Sequence, residues 1–345
     1  MTRESQTIAV IGGGPAGLEA SAKLTGLGYN VFILEKNTEV GGHLLDWDRL
    51  FPDQQNASEV LDAIKAGLNE NTQILTGAEV VEISENHRFD IKLAGSPQKI
   101  TADAILVATG FDVFDARKKE EYGYGIYDHV ITSAELETYF KNKKEILKRN
   151  GSPVKRIAFI HCVGSRDEKA GVRHCSRVCC VTAVKQAIEV KELYPDVEVY
   201  LFYMDLRMFG LGYEELYKEA QEIYNIRFIR GRLSESFENQ DGTIMVKVED
   251  TLAGKPMRIN VDLMVLMVGI LASSGTSEMG SKMGIGINSN GFLKPVNSHF
   301  SSQISNRAGV FLAGTCKSPK NIEETLSDAR AAAVLIDNYL KAKIT

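Results

Sequence analysis

The sequence has few of the features that mark secreted, membrane-spanning or disordered chains. Its 345 residues include only five cysteines, eight prolines and one tryptophan, and no low-complexity tract interrupts them. The longest apolar run, Leu263 to Ala272, is far too short to span a bilayer. A secreted disulfide framework would spread its cysteines along the chain, whereas four of the five lie between Cys162 and Cys180. These absences argue against a disulfide scaffold, a membrane span and disorder.

A strong excess of charge of either sign is also lacking. Lys and Arg number 40 against 45 Asp and Glu, which gives a formal net charge of −5, so nothing favours nucleic acid or an anionic membrane surface. The start of the chain, Met1 to Gln6, is polar and has no signal-peptide pattern, so we expect a soluble, cytoplasmic protein. The length and a hydrophobic content of 44% favour two domains with proper cores.

The N-terminal segment has the pattern of a strand, a glycine-rich turn, a helix and a second strand. Thr7 to Ile11 and Asn30 to Glu35 are the two strands that the pattern predicts. Between them, Gly12-Gly13-Gly14-Pro15-Ala16-Gly17 contains the G-x-G-x-x-G motif in its required context. A βαβ unit of this kind predicts an α/β fold with a parallel, doubly wound sheet.

Each glycine of this motif has a physical reason to be there. Gly12 permits a tight turn, Gly14 lets a pyrophosphate approach the backbone, and Gly17 lets helix and strand pack closely. The helix N-terminus offers free N–H groups to the phosphates, and Glu35 can accept hydrogen bonds from ribose hydroxyls. The motif by itself does not separate FAD from NAD, and a glycine turn without ligand is the alternative interpretation.

A second βαβ-like pattern follows a weakly patterned stretch between Gly110 and Thr132. Arg156 to Ile160 predicts a buried strand, Thr182 to Leu193 a helix, and Asp262 to Val268 the strand that closes this unit. We therefore predict an FAD-binding segment over 1–128, an inserted dinucleotide-type domain over 129–270, and a second FAD-binding segment over 271–345.

Three later segments resemble the glutathione-reductase-like flavoproteins, in which two dinucleotide-binding folds share one chain. They are Gly41-Gly42, Ala108-Thr109-Gly110, and Val310 to Gly314 with Thr315 before the last helix. The spacing is most similar to the compact thioredoxin-reductase type. The resemblance implies two Rossmann-like domains, the second inserted into the first, with FAD in the first and a homodimer as the assembly.

The resemblance also implies which residues hold FAD. They are Gly12, Gly14, Pro15, Ala16, Gly17, Glu35, Lys36, Gly42, His43, Val80, Ala108, Thr109, Gly110, Gly314, Thr315 and Ile322. In the family the last helix points its N-terminus at the flavin pyrimidine, where its dipole would favour a reduced anion. One departure is Thr315, because the family usually has an aspartate there that holds the ribityl chain.

The second fold lacks the glycine fingerprint that a nicotinamide cofactor requires. In its place stands C-x12-C-x3-C-C, formed by Cys162, Cys175, Cys179 and Cys180. Four thiolates are what a [4Fe–4S] cluster needs, and basic neighbours would lower the thiol pKa values. Structural zinc, which typically uses paired C-x2-C knuckles, a catalytic dithiol and inert core cysteines are the alternatives.

This segment resembles the flavin and iron–sulfur subunit of the heterodisulfide reductase family. The matching stretches are His161-Cys162-Val163-Gly164-Ser165-Arg166, Cys175-Ser176-Arg177-Val178-Cys179-Cys180, and Gly314-Thr315-Cys316 with Pro319-Lys320. That family couples FAD to [4Fe–4S] clusters. The resemblance implies that the four cysteines ligate the cluster nearest the flavin, and that Lys185 lies near the flavin and tunes its N5 chemistry.

The chain is similar to the short form found in heterodisulfide-reductase-like complexes of sulfur oxidisers, because further cysteines near Leu50 to Gln55 and C-terminal ferredoxin-like clusters are lacking. The resemblance implies an electron-transferring protein that works with other heterodisulfide-reductase-like subunits in sulfur or disulfide metabolism. Two alternatives stay open: an NAD(P)H-dependent flavoprotein disulfide reductase with a Cys179/Cys180 dithiol, and a non-catalytic flavin-binding scaffold.

Overall fold

The computed structural model describes residues 6–97, 99–148 and 151–343. The helices within these ranges are α1 Pro15–Gly26, α2 Ala57–Lys65, α3 Ser133–Lys141, α4 Cys179–Leu193, α5 Tyr213–Glu222, α6 Ser274–Met283 and α7 Ile322–Ala342. The strands are β1 Thr7–Ile11, β2 Asn30–Leu34, β3 Thr72–Leu75, β4 Val80–Asn86, β5 Arg88–Leu93, β6 Lys99–Ala102, β7 Ala104–Val107, β8 Phe111–Val113, β9 Val130–Thr132, β10 Arg156–Val163, β11 Glu198–Tyr203, β12 Arg227–Arg230, β13 Leu233–Glu238, β14 Ile244–Asp250, β15 Lys255–Val261, β16 Leu263–Val268, β17 Ile270–Ala272 and β18 Val310–Leu312.

The described chain divides into two compact units. Unit 1 comprises residues 6–45, 58–112 and 271–343, and unit 2 comprises residues 46–57 and 113–270. The chain thus begins and ends in unit 1 and passes into unit 2 twice, first over 46–57 and then over 113–270. The limits 1–128, 129–270 and 271–345 stay predictions, since compact units are not tested folding domains. Of the helices in the described ranges, none is both long and apolar enough to cross a membrane.

Unit 1 is built on a parallel sheet with the strand order β18-β7-β1-β2-β3. Its central strand β1 is an apolar run, and Ile8, Ala9 and Val10 have no exposed surface. Such a run is what a strand buried on both faces requires. Strand β18 comes from the C-terminal segment, so the end of the chain completes the sheet that its start nucleates. A small antiparallel sheet, β4-β5-β6, belongs to the same unit.

Unit 2 repeats this architecture with the parallel order β12-β11-β10-β16-β9. The register between β10 and β16 shifts between Ile160 and Val163, which is a bulge at the end of the central strand. Helix α4 begins at Cys179, three residues before the predicted start at Thr182. The earlier start follows from packing, because Cys179 and Cys180 are buried in the apolar core of this unit.

Asp262, the residue directly before β16, holds the start of β10 through hydrogen bonds. Its Oδ2 accepts the backbone N–H groups of Lys155 at 2.6 Å and Arg156 at 2.9 Å, and its Oδ1 lies 2.7 Å from Lys148 Nζ. We predict that Asp262→Ala lowers the free energy of unfolding by about 1–3 kcal/mol, because partly buried N–H groups lose their acceptor. Urea denaturation monitored by circular dichroism measures this loss.

The matched control is Asp196→Ala, an exposed turn residue in the same unit, which should change stability by no more than about 0.5 kcal/mol. Burial of Asp262 opposes its charged form, but the hydrogen bonds from Lys148 and from the two backbone amides outweigh it and lower its pKa. Its stabilisation is therefore fully present above the ordinary aspartate pKa of about 3.9 and is lost as pH falls through the lowered value. Equal losses in both variants would contradict this role.

Candidate functional site

The glycine turn between β1 and α1 is held so closely that two of its positions admit no side chain. Gly12 has a φ of 109°, and a Cβ there would lie 2.3 Å from the carbonyl oxygen of Ala108. A Cβ at Gly17 would lie 2.0 Å from the carbonyl oxygen of Gly12. These glycines are therefore required by backbone packing within the fold, as the motif predicts.

Gly14 differs from both of them, because the space beside it is open. The nearest atom to a Cβ at Gly14 would be Gly42 Cα, 4.0 Å away. Gly14 is also the N-cap of α1, where no side chain caps the helix, no acidic residue occupies the first turn and Pro15 follows. Free N–H groups and the positive end of the helix dipole thus face room for an anionic group. This combination fits the pyrophosphate of a dinucleotide.

The second glycine loop lies directly against the first. The N–H of Gly41 donates to the carbonyl oxygen of Gly13 at 2.8 Å. Gly42 has a φ of 56° and opens a 3-10 turn that contains His43. The His43 ring stacks on Phe111 with centroids 4.3 Å apart, and its Nε2 lies 3.1 Å from the Phe111 carbonyl oxygen. His43 is therefore anchored beside the loops, but the predicted contact with FAD stays a prediction.

Glu35 holds the end of β2 to the glycine turn. Its buried carboxylate accepts the N–H of Gly13 at 2.7 Å and the N–H of Asn37 at 2.8 Å. Each carboxylate oxygen keeps a further lone pair, so an additional hydrogen bond from a ribose hydroxyl is chemically possible. The next residue, Lys36, is exposed.

The C-terminal part of the predicted site reaches the start of α1. Gly314 has a φ of 74°, and a Cβ there would lie 2.8 Å from the Cβ of Ala16. Thr315 follows in a buried 3-10 turn. On the neighbouring strand end, Thr109 Oγ1 lies 2.9 Å from Thr276 Oγ1, and Gly110 has a φ of 72°. The contacts described so far bring Gly12, Gly14, Ala16, Gly17, Glu35, Gly42, Ala108 and Gly314 together.

Two of the residues predicted to hold FAD, Val80 and Ile322, have surroundings that differ from those of the glycine turns. Val80 begins β4 and is buried in the apolar core of unit 1. Ile322 begins α7, whose N-cap Asn321 forms a capping box with Glu324. Glu323 and Glu324 place negative charge in the first turn, which opposes the expected preference of this helix end for a reduced flavin anion.

Sequence reasoning missed the buried carboxylate that holds the Gly314 turn. Asp328 on α7 accepts the N–H of Gly314 at 2.8 Å through Oδ2. Its Oδ1 accepts from Lys317 Nζ at 2.7 Å and from Gln303 Nε2 at 2.7 Å. The available signal was an acidic residue within the stripe of α7 that also buries Ala329 and Ala332.

The cysteine segment of unit 2 begins at the bulge in β10. Cys162 has a φ of 60°, Arg166 a φ of 54° and Arg177 a φ of 64°. Left-handed backbone is unfavourable for residues other than glycine, and strain of this kind clusters at functional sites. The segment therefore stores backbone strain around its cysteines, which favours a functional over a purely structural interpretation.

Hydrogen bonds hold the two arms of this segment together. Ser165 Oγ donates to the carbonyl oxygen of His174 at 3.1 Å and accepts the N–H of Ser176 at 3.0 Å. Ser176 Oγ accepts the N–H of Ile270 at 2.8 Å, and His174 Nε2 lies 2.8 Å from the Ile270 carbonyl oxygen. The strained conformation is thus fixed by its own side chains and by the end of the neighbouring strand.

A buried aspartate fixes the outer part of the same segment. Asp167 lies 2.9 Å from Lys119 Nζ and 2.9 Å from an Arg232 guanidinium nitrogen. It also accepts the backbone N–H groups of Lys169 and Ala170. Two cations and two amides therefore hold one carboxylate, which keeps the loop between the first and second cysteine in place.

Three of the four thiols interact with one another. Hydrogen bonding with the Cys179 thiol lowers the pKa of Cys162 to about 7 and that of Cys180 to about 4, although burial opposes both shifts. The same hydrogen bonds and burial raise the pKa of Cys179. Cys175 is half-buried on the loop, where its Sγ accepts the N–H of Arg177 at 3.3 Å.

The donor set determines what this site can hold. In the described ranges, no group of three or more His, Cys, Asp or Glu side chains is arranged to hold a single metal ion. A [4Fe–4S] cluster has a different requirement, because each of its four irons takes one separate thiolate. Four cysteines in a buried, strained and partly basic segment fit that donor set.

The second fold also differs from a nucleotide site in the connection after its central strand. Gly164 follows β10 as Gly12 follows β1, has a φ of 67°, and a Cβ there would lie 1.9 Å from the ring of Phe114. No G-x-G-x-x-G motif stands between β10 and α4, where the cysteine segment lies instead.

Lys185 lies on α4 and is an ion-pair partner inside unit 2. Its Nζ contacts Glu137, and lies 3.2 Å from Glu189 Oε2, with all three side chains buried. Burial raises the pKa of Glu189 to about 8 even though the Lys185 charge opposes this shift. The predicted catalytic role of Lys185 near a flavin stays a prediction.

Both units thus define a protein with two dinucleotide-binding folds, one with an open phosphate loop and one with a cysteine segment. The family model for pyridine nucleotide-disulphide oxidoreductases matches residues 6–333. The chain belongs to this oxidoreductase family. Its fold and family support FAD as the cofactor, and they confirm the predicted fold class.

Solved structures support the same fold. Thioredoxin reductase from T. acidophilum has a TM-score of 0.66 and 17% identity, over 98% of this chain and 99% of that chain. Thioredoxin reductase from Lactococcus lactis has a TM-score of 0.67 and 17% identity, over 98% of this chain and 100% of that chain. Likeness at this level of identity concerns the fold alone.

Curated relatives confirm the resemblance to the heterodisulfide reductase family. A subunit of the H(2):CoB-CoM heterodisulfide,ferredoxin reductase of Methanothermobacter thermautotrophicus is 32% identical over 94% of this chain and 62% of its own length. The iron-sulfur subunit of the CoB--CoM heterodisulfide reductase of Methanocaldococcus jannaschii is 31% identical over 94% of this chain and 63% of its own length. The chain therefore spans less than two thirds of the relatives it matches.

The open space at Gly14 gives a direct test of the dinucleotide site. We predict that Gly14→Ala lowers FAD affinity at least about tenfold, because the added methyl group enters space reserved for the pyrophosphate. The fold should tolerate the change, since that methyl meets no atom closer than 4.0 Å and only weakens an N-cap, at a cost of no more than about 1 kcal/mol. Fluorescence titration of apoprotein with FAD measures the affinity, and thermal unfolding measures the fold.

Gly26→Ala is the matched control, because Gly26 ends the same helix and a Cβ there would meet nothing within 4 Å. It should bind FAD as the wild type does. Equal FAD affinity in the Gly14→Ala and Gly26→Ala variants would show that no pyrophosphate lies at this turn.

Proposed function

We propose that this chain is the electron-transferring flavo-iron–sulfur component of a heterodisulfide-reductase-like complex, in which FAD and a [4Fe–4S] cluster exchange electrons. The observation that carries the proposal is the replacement of the second phosphate loop. No G-x-G-x-x-G motif follows β10, and the helix that should receive phosphate begins with the buried pair Cys179-Cys180. The names of the curated relatives, which are heterodisulfide reductase subunits, support the same assignment.

Residues of unit 1 would hold FAD. The open backbone at Gly14 and the free start of α1 bind the pyrophosphate, and Glu35 orients the adenosine ribose. Asp328 keeps Gly314 against α1, so that Thr315 can offer its hydroxyl where related flavoproteins have an aspartate. When bound, FAD supplies electron transfer in steps of one or two electrons.

Residues of unit 2 would hold the cluster. Cys162 comes from the bulge of β10, Cys175 from the loop, and Cys179 with Cys180 from the first turn of α4. Asp167 and the two serines at 165 and 176 keep the ligand loops in one conformation, which limits rearrangement when charge changes. A bound cluster supplies one-electron transfer at a potential that charge, hydrogen bonding and burial set.

The wider setting belongs to the same proposal. We expect a homodimer that associates with other heterodisulfide-reductase-like subunits in the cytoplasm. The ultimate substrate is then a sulfur compound or disulfide that another component of the complex handles, because the four cysteines of this chain are committed as ligands. Lys185, held by Glu137 and Glu189, is the residue we expect to influence the flavin.

Cofactor content is the first measurement. We predict that anaerobically prepared protein contains about four irons and four acid-labile sulfides per FAD, with broad absorbance near 400 nm that fades with dithionite. Cys162→Ser and Cys179→Ser should lose most of the iron and keep FAD, since the two sites lie in separate units. Colorimetric assays measure the iron and the acid-labile sulfide, and the flavin spectrum measures the FAD content.

Cys316→Ser provides the matched control within the same chain. Cys316 is fully buried in unit 1, where burial raises its pKa to about 11 and its Sγ contacts the carbonyl oxygens of Val107 and Ala313. Its iron content should equal that of the wild type. FAD without iron or sulfide in the wild type, with titratable thiols in the cysteine segment, would overturn the cluster assignment.

An NAD(P)H-dependent disulfide reductase is the second candidate, because the family is named for that chemistry and the Cys179 and Cys180 thiols interact. We predict that NADPH and NADH leave the flavin absorbance unchanged under anaerobic conditions, while dithionite bleaches it. The physical reason is that unit 2 has no G-x-G-x-x-G phosphate loop between β10 and α4. Rapid bleaching by either nucleotide would favour the reductase.

A further inference from the structure

His161 is a buried histidine whose imidazole makes no hydrogen bond of ordinary geometry in the part of the chain that the structure describes. It lies in β10 directly before Cys162, with 7% of its surface exposed. Neither Nδ1 nor Nε2 makes a hydrogen bond of ordinary geometry within the described residues. Leaving a buried polar group unpaired costs free energy, and such groups therefore call for an explanation. By contrast, Nε2 of His43 and Nε2 of His174 each lie within hydrogen-bonding distance of a backbone carbonyl oxygen.

The surroundings of His161 are thiols and an aromatic ring. The Tyr203 ring centroid is 6.5 Å from the His161 ring centroid. Hydrogen bonding with Cys179 is the main cause of the lowered pKa of Cys180 and Cys162, and His161 lowers both values further. The imidazole is therefore close to the sulfur atoms that would surround a cluster.

The bulge in β10 explains how the histidine and its neighbour can serve one site. In a regular strand, successive side chains point to opposite faces of the sheet. The register shifts between Ile160 and Val163, and Cys162 adopts left-handed backbone. This interruption releases His161 and Cys162 from strict alternation, so that both can face the cysteines at the start of α4.

We propose that His161 donates a ring N–H to a sulfur atom of the [4Fe–4S] cluster and thereby raises its reduction potential. This inference rests on the proposed function. An imidazole carries at least one ring N–H, which can donate to sulfur. Reduction adds one negative charge to the cluster, and a hydrogen bond to sulfur stabilises the more negative state. His161 is thus a positioning and tuning residue, since the four cysteines already supply one ligand for each iron.

Removal of the donor should lower the potential. In His161→Leu, which fills the buried space without an N–H, we expect the equilibrium between oxidised and reduced cluster to shift about tenfold towards the oxidised form. For one electron, this tenfold shift is 59 mV. His161→Gln keeps an N–H donor and should retain most of the wild-type potential. Anaerobic redox titration of the full chain, followed by electron paramagnetic resonance of the reduced cluster, measures each midpoint.

Tyr203→Phe is the matched control, because it removes a polar group beside the same ring and keeps the packing. Its potential should equal that of the wild type. If His161→Leu assembles too little cluster, His161→Phe carries the same expectation, because it keeps a flat ring without a donor. An unchanged midpoint in a variant that lacks the donor but has full iron content would overturn this inference alone. A wild type without iron would overturn both this inference and the proposed function.

Discussion

The organisation of unit 1 depends on backbone contact between the start of α1 and the ends of β1 and β7. Gly17 rests on the carbonyl oxygen of Gly12, and Gly12 rests on that of Ala108, at distances that exclude any Cβ. Because these three segments meet without side chains between them, the N–H groups at the start of α1 stay open on one side. The loop at Gly41, the carboxylate of Glu35 and the turn at Gly314 then surround that opening.

Unit 2 shows how the same topology can be converted to a different chemistry. Its parallel sheet has a helix after the central strand, as unit 1 has, but the connection is long, strained and rich in cysteine. No G-x-G-x-x-G motif follows its central strand. Hydrogen bonds among Ser165, Ser176 and His174 hold the connection instead.

Much of the fold follows from local sequence, and the exceptions have physical reasons. The strand Thr7–Ile11 was predictable as a buried apolar run, and the structure has these bounds. Helix α6, Ser274–Met283, has two glycines and four serines or threonines, so its propensity is low and its formation depends on burying Met279 and Met283. Helix α5, Tyr213–Glu222, has Tyr213, Leu216, Tyr217 and Ala220 at amphipathic spacing, but its other residues are polar and only Leu216 and Ala220 are buried.

The residues of the candidate sites also fall into two groups, those that the sequence predicts and those that it does not. The glycine positions and the four cysteines can be recognised from spacing, because short-range geometry requires them. The buried partners could not be predicted, since Asp328 meets Gly314 and Asp167 meets Lys119 only through tertiary packing. The isolation of the His161 ring is a property of its whole surroundings, and no local pattern of residues encodes it.

On α4, Lys185 provides one buried ammonium group for two buried carboxylates, Glu137 and Glu189. Asp48 and Arg49 also interact with Glu189. Because burial raises the pKa of Glu189 to about 8, this carboxyl keeps its proton at neutral pH. The stability that this protonated carboxyl contributes is therefore fully present below the ordinary glutamate pKa of about 4.3 and is lost as pH rises from there through the raised value.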